Sequence, residues 1–294
     1  TSSNCIYNSS RGVVKFMIKF GCAGNPKEFY DLGYKVSEDM PKYLNNIGID
    51  AYEYQCSRGV RVSDIKANLL KENAKMYNID LSIHAPYYIS LSTQDEVKKQ
   101  STIKYIIDTM KIADKMGAEK IVVHAGALLG LQREYAVESA CLLLKRAYNE
   151  ADKLGLGHIV ICPETMGKIN QLGNSQEIIK MCLVDDRMIP TIDFGHLYCR
   201  SHGRLVTKED WLKELSQYIE HLGFERMKHF HSHFSKMIYT LNGGEKSHVT
   251  FKDSDYGPYY EEVLAAIVDL KLEPTIICES SGTQAIDSKI MKDY

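Results

Sequence analysis

The 294-residue sequence contains no run of roughly 18 uncharged apolar residues, the length a helix needs to cross a bilayer. Its first residues carry neither the apolar block nor the small-residue cleavage site of a secretory leader. The expectation is a cytoplasmic protein with no membrane partner. A basic surplus is also missing: 36 Lys and Arg stand against 38 Asp and Glu, a formal net charge of −2. That balance counts against a nonspecific nucleic-acid binder. It does not exclude nucleic acid, because bound divalent cations would change the local field far more than two surface charges. Eight cysteines are present, but none form a C-x-x-C pair and their spacing fits no zinc finger. With no secretory context to oxidise them they are expected to be reduced, with Cys22, Cys56, Cys162 and Cys278 serving as small apolar residues at strand ends.

Several motifs are absent as well. No G-x-G-x-x-G follows the first apolar run, which argues against a doubly wound dinucleotide fold. There is no G-x-S-x-G elbow and no P-loop, so neither a nucleophilic triad nor phosphate-loop chemistry is indicated. Proline is scarce, and no Pro/Ser-rich linker, low-complexity tract or long charge run divides the chain. Residues 15–294 read as one domain. Residues 1–14 match none of the elements that follow and read as an N-terminal extension or a cloning remnant, with Met17 a plausible natural start.

From residue 15 onward one unit repeats: a short apolar, β-branched run, a polar or glycine-containing turn, then an amphipathic helix. The strand candidates are 15–21, 51–55, 81–85, 120–124, 158–164, 189–193, 227–234 and 275–279. Between them Ile103, Ile106, Ile107, Met110, Ala113 and Met116 recur at spacings of three and four. So do Ala140, Leu143, Leu144, Ala147, Ala151 and Leu154, and then Trp211, Leu212, Leu215, Ile219 and Leu222. Such spacing gathers apolar side chains on one helix face. Eight strands alternating with helices is the count for an α/β TIM, or (β/α)8, barrel.

Potential ligands fall at the strand ends. His84 ends the third strand, His124 the fourth, Glu164 the fifth and Asp193 the sixth, with His196 three residues on. His231 and His233 lie at the end of the seventh strand, His248 in the loop after it, and Glu279 ends the eighth. Taken singly, a His at a strand end is more often a satisfied polar residue than a ligand, and a Glu there is commonly an ion-pair partner. In a barrel, however, all strand C-termini open on one face, where the active site sits. Several carboxylates gathered there without cations would repel one another and pay desolvation. Mixed imidazole and carboxylate donors favour zinc, manganese or iron over magnesium or calcium.

The strings S-I-H-A-P-Y-Y (82–88), V-V-H-A-G (122–126), P-E-T-M-G…L-G (163–173), I-D-F-G-H (192–196), H-S-H-F-S-K (231–236) and C-E-S (278–280) occur in an informative order. In order and spacing they resemble the metal-binding segments of the endonuclease IV family, xylose-isomerase-like TIM barrels, from which this chain would be a divergent branch. The resemblance spans roughly residues 15–290. It implies a monomeric DNA-repair endonuclease, a hydrolase that cuts double-stranded DNA 5′ to abasic sites. It also implies Zn2+, with Mn2+ or Fe2+ as alternatives. The first ion would take His84, His124 and Glu164, and the second Glu164, Asp193, His231 and Glu279, with Glu164 the catalytic bridging residue. The third would take His196 and a D-x-H pair, which here reads Lys246-Ser247-His248. The missing carboxylate leaves Glu245 or His233 to complete that site, so two ions are expected to be held firmly and the third less so. Tyr87, Arg58 and Lys236 would contact DNA. The alternative is a metal-dependent sugar isomerase or epimerase, which needs a single ion held by Glu164, Asp193, His231 and Glu279.

Overall fold

Short runs rich in β-branched and aromatic residues form strands because their stiff side chains pack well on a pleated surface. In the computed structural model, which describes residues 6–9, 12–15, 17–253 and 255–294, eight such runs close a parallel barrel. They are β1 (Lys19–Ala23), β2 (Ala51–Gln55), β3 (Asp80–His84) and β4 (Lys120–His124). The remaining four are β5 (Val160–Glu164), β6 (Thr191–Asp193), β7 (His231–Phe234) and β8 (Thr275–Cys278). Closure comes from β8 pairing with β1, with Thr275 through Cys278 opposite Lys19 through Cys22.

Helices sheathe the barrel and bury the faces their periodicity marks out. The helix Glu96–Met116 buries Ile103, Ile106, Ile107, Met110, Ala113 and Met116. Asp95 caps its start by accepting from Val97 N and Lys98 N, and Gly117 ends it in the left-handed region. Lys208–Leu222 is held by a reciprocal cap between Thr207 and Asp210 and buries Trp211, Leu215, Tyr218 and Leu222. Leu154 departs from the expected face: it lies beyond the last turn of Arg133–Lys153 and is exposed. Cys22, Cys56, Cys162 and Cys278 are buried.

Two differences from the sequence expectation have physical causes. The first barrel strand lies further on than 15–21, since Gly12–Lys15 pairs instead with Ile6–Ser9 as an antiparallel hairpin. The remainder of the 1–14 segment lies outside the described residues. Gly21 is the pivot of β1: a Cβ there would stand 2.6 Å from Ala51 O, so only glycine lets β1 and β2 approach this closely. The second difference follows β7, where Met237–Thr240 and Gly244–His248 form an antiparallel hairpin above the barrel mouth. Among the described residues no helix is long and apolar enough to cross a membrane.

Candidate metal centre

Side chains two apart on a strand share a face, so each strand aims its last inward residue at the barrel mouth. His84 from β3, His124 from β4 and Glu164 from β5 meet there. Glu164 Oε2 lies 3.3 Å from His84 Nε2 and 2.9 Å from His124 Nε2. His84 Nδ1 donates to Ala85 O at 2.7 Å, which turns the other ring nitrogen toward Glu164. The second oxygen of Glu164 serves a second group. His233 Nδ1 is 3.0 Å from Glu164 Oε1, 3.6 Å from Glu279 Oε2 and 3.9 Å from Asp193 Oδ2. Asp193 Oδ1 accepts from His196 N at 2.7 Å and caps the helix Phe194–Arg200. Its Oδ2 is buried with no hydrogen-bond partner among the described residues. A buried carboxylate oxygen without a hydrogen bond, 3.3 Å from His196 Nδ1 and facing further imidazole and carboxylate groups, is what a divalent cation would satisfy.

A third group joins His196, Glu245 and His248. His196 Nδ1 donates to Thr165 O at 2.8 Å, and its Nε2 lies 3.5 Å from Glu245 Oε2. His248 Nδ1 is 2.8 Å from Ser235 Oγ. Within each of the three groups the donor atoms lie within 4.8 Å of one another, so each could hold a metal ion.

Glu245 takes the carboxylate position through a β-bulge. In the hairpin Tyr239 pairs with Glu245 and Ile238 with Ser247, which leaves Lys246 as the extra residue. Three residues apart on a regular strand, Glu245 and His248 would face opposite ways. The bulge brings them to one face. The turn is fitted closely to its neighbours: Gly244 adopts φ 74°, and a Cβ on Gly167 would lie 2.6 Å from Glu245 Cβ. Gly167→Ala should therefore displace Glu245 at an overpacking cost of about 1–3 kcal/mol. Retention of a bound divalent metal on dialysis should then fall at the His196 group alone. Loss at all three groups would mean the fold had failed instead.

The electrostatics match the donor chemistry. Burial would raise the Glu164 carboxyl, but His233 and His124 beside it hold it well below the usual carboxylate range. Burial disfavours charge on His196, yet Asp193, Glu164, Glu245 and Glu279 outweigh it and push the imidazole up to about 9. His233 is raised in the same way by Glu279, Glu53 and Glu164 against its burial. A metal must displace such protons to bind. Affinity for a divalent metal at the His196 group should then weaken as pH falls below about 9, by roughly tenfold per pH unit for one displaced proton. Competition titrations from pH 6 to 9 would measure this, and a flat profile would remove His196 from the ligand set.

The groups line a cavity of about 560 Å3, with Gln55, Tyr87, Met166, Lys168, Gln171 and Gln284 among its walls. Tyr87, which is 56% exposed, lies with its ring centre 5.8 Å from that of His124 and nearly parallel to it. Arg58 is exposed on the turn after β2.

Two sequence expectations are corrected. His231 does not join Glu164, Asp193 and Glu279: its Nε2 lies 2.8 Å from Glu53 Oε2, one pleat repeat deeper in the barrel, and His233 stands in the place expected for it. Lys236 is not available to DNA. It is buried, and its ammonium donates to Phe251 O at 3.2 Å and Asp253 O at 3.0 Å. Sequence reasoning also missed Glu53, although Glu53 and Gln55 alternate with Tyr52 and Tyr54 in β2, the pattern of a strand with one polar inner face.

Fold and mouth together define a (β/α)8 barrel that presents imidazoles and carboxylates on its C-terminal face. The chain belongs to the xylose isomerase-like TIM barrel family, whose profile matches residues 41–292. An uncharacterised protein of Methanocaldococcus jannaschii is 31% identical over 280 residues, 95% of this chain and 98% of its own. The probable endonuclease 4 of Mycoplasma genitalium is 26% identical over 223 residues, 70% of this chain and 74% of its own. These distances set the chain on a divergent branch with endonuclease 4 proteins among its relatives. Among solved structures, a D-tagatose 3-epimerase-like protein superposes with a TM-score of 0.68 at 20% identity, covering 94% of this chain and 97% of its own. The endonuclease IV of Thermus thermophilus superposes with 0.67 at 18% identity, covering 94% and 98%. At these identities both likenesses concern the fold alone.

Proposed function

We propose that this chain is a zinc-dependent endonuclease that hydrolyses the phosphodiester bond 5′ to an abasic site in double-stranded DNA. The observation that carries the reading is the third donor group. Glu164, Asp193, His233 and Glu279 would suffice for the single ion of a sugar isomerase or epimerase. Such chemistry gives no role to the group in which the bulged hairpin brings Glu245 and His248 to His196 on the helix Phe194–Arg200. The relatives named probable endonuclease 4 support the same choice.

In this reading His84, His124 and Glu164 hold one ion, and Glu164, Asp193, His233 and Glu279 a second. His196, Glu245 and His248 hold the third. Zinc, or manganese or iron(II) in its place, would supply an acidified water and neutralise phosphate charge. The protein's part is positioning. Glu164 ties the first two groups together, one oxygen to each. Tyr87 walls the cavity beside His124, and Lys168 brings a cation to its rim.

Zinc-loaded protein given a duplex oligonucleotide with one abasic site should make a single incision, leaving a 3′-hydroxyl upstream, and chelator should abolish it. If fully loaded protein leaves that duplex intact but exchanges a carbon-bound proton of a ketose with solvent deuterium, the epimerase reading replaces this one.

A further inference from the structure

Glu53 stands behind the metal groups without lining the cavity. It is fully buried in mid-β2 and faces the barrel interior, where most barrels place branched aliphatic side chains. Its carboxylate is met on all sides. Oε2 accepts from Ser82 Oγ at 2.9 Å and lies 2.8 Å from His231 Nε2. Oε1 accepts from Gln55 Nε2 at 3.2 Å and lies 3.0 Å from His233 Nε2. A buried carboxylate is costly unless so engaged, and four polar neighbours on three strands are a dedicated cradle.

His233 is the hinge of the arrangement. Its Nδ1 faces Glu164, Glu279 and Asp193, and its buried Nε2, which has no hydrogen bond among the described residues, lies 3.0 Å from Glu53 Oε1, off the line of the ring N–H. A carboxylate behind one ring nitrogen keeps the proton there, leaves the lone pair on the other, and makes that lone pair a stronger donor.

We propose that Glu53 is a positioning residue. It holds His233 as the Nε2–H tautomer, so that Nδ1 is presented to the ion shared with Glu164, Asp193 and Glu279. His231 serves the same end by anchoring the far oxygen of Glu53, and this accounts for an H-x-H pair in which only the outer histidine joins Glu164, Asp193 and Glu279. The inference rests on the metal-centre reading above and adds a residue to it. Glu53, His231 and His233 also lie close enough to hold an ion of their own. A neutral imidazole has one lone pair, so His233 could serve ions at both nitrogens only after losing both protons. Both oxygens of Glu53 are, moreover, already engaged by Ser82 and Gln55.

The test uses the zinc-loaded full chain and its Glu53→Gln variant, which keeps the shape and loses the charge. Stepwise competition with a chromophoric chelator should show one zinc weakened by about 10- to 100-fold, with the others unchanged. The rate on abasic duplex should fall through kcat with KM unchanged, and recover as free zinc is raised. Nitrogen-15 spectra of histidine-labelled, zinc-loaded wild type should show His233 protonated at Nε2, a readout that survives if the variant fails to fold. Unchanged affinity for every zinc, or His233 protonated at Nδ1, overturns the proposal. A fourth zinc per chain, lost in Glu53→Gln, overturns it in favour of an ion site. A zinc shift in a chain that does not cut abasic DNA would leave Glu53 its role and remove the endonuclease reading. The converse result, incision with no zinc shift, would do the reverse.

Discussion

Glu164→Ala should lower the rate of abasic-site incision by about 100-fold or more, the scale seen when a group acting directly on the reacting charge is removed. Its two oxygens serve different groups, Oε2 facing His84 and His124 and Oε1 facing His233. Zinc analysis should therefore show the first two ions lost together, while the ion at His196, Glu245 and His248 remains. Glu279→Ala is the comparison: Glu279 belongs to one group only and is partly exposed, so it should weaken one ion and cost less. A Glu164→Ala protein with near-normal rate and zinc content would end the bridging role.

The second large effect concerns the phase of the hairpin. Deleting Lys246 removes the bulge and leaves Glu245 and His248 two apart, still on one face of a regular strand. That protein should keep its third zinc and most of its activity. Deleting Lys246 and Ser247 together makes Glu245 and His248 adjacent, and adjacent residues point to opposite faces. The third zinc should then be absent from dialysed protein, with the rate again down by about 100-fold. The ordering is the point of the experiment, since both proteins lose Lys246 and only the longer deletion puts Glu245 and His248 on opposite faces. Equal damage from both would mean that Lys246 acts through its charge rather than as a spacer.

These cases mark how far the sequence could be read. The barrel was legible because strand and helix periods differ and repeat, and because a closed parallel sheet sends every strand C-terminus to one face. His84, His124, Glu164, Asp193 and Glu279 could be named as candidates from that alone. Depth within the barrel was not legible. His231 and His233 share a face, and nothing local tells which one reaches the mouth; the answer depends on the stagger of β7 against its neighbours. Glu245 was named only as the nearest substitute, because a bulge is a property of two paired strands and not of one. Glu53 was missed for a different reason: its alternation with Tyr52 and Tyr54 marks a strand with one polar face, but a glutamate in mid-strand ordinarily faces water, and only closure of the barrel turns that face inward. Lys236 misled because the chain enters the hairpin immediately after it and draws the ammonium onto carbonyl groups.

The rim above the metal groups is cross-braced. Leu128 N donates to Asn170 O at 3.0 Å, Ile169 N to Gly243 O at 3.2 Å and Glu245 N to Gly167 O at 3.2 Å. Arg200 reaches Met166 O and Lys168 O at 3.1 and 2.9 Å, and Arg133 reaches Ile169 O at 2.7 Å. The segments after β4, β5 and β7 are thereby stitched into one frame around an aperture of set width. For these segments to fold down over a bound molecule, this set of hydrogen bonds would have to break. Glu164 and Asp193 lie buried at the bottom of the well, so the deformation needed for contact falls on the incoming molecule. For the abasic duplex proposed above, this favours a strand already weakened at one point, which can bend into the opening more readily than an intact one.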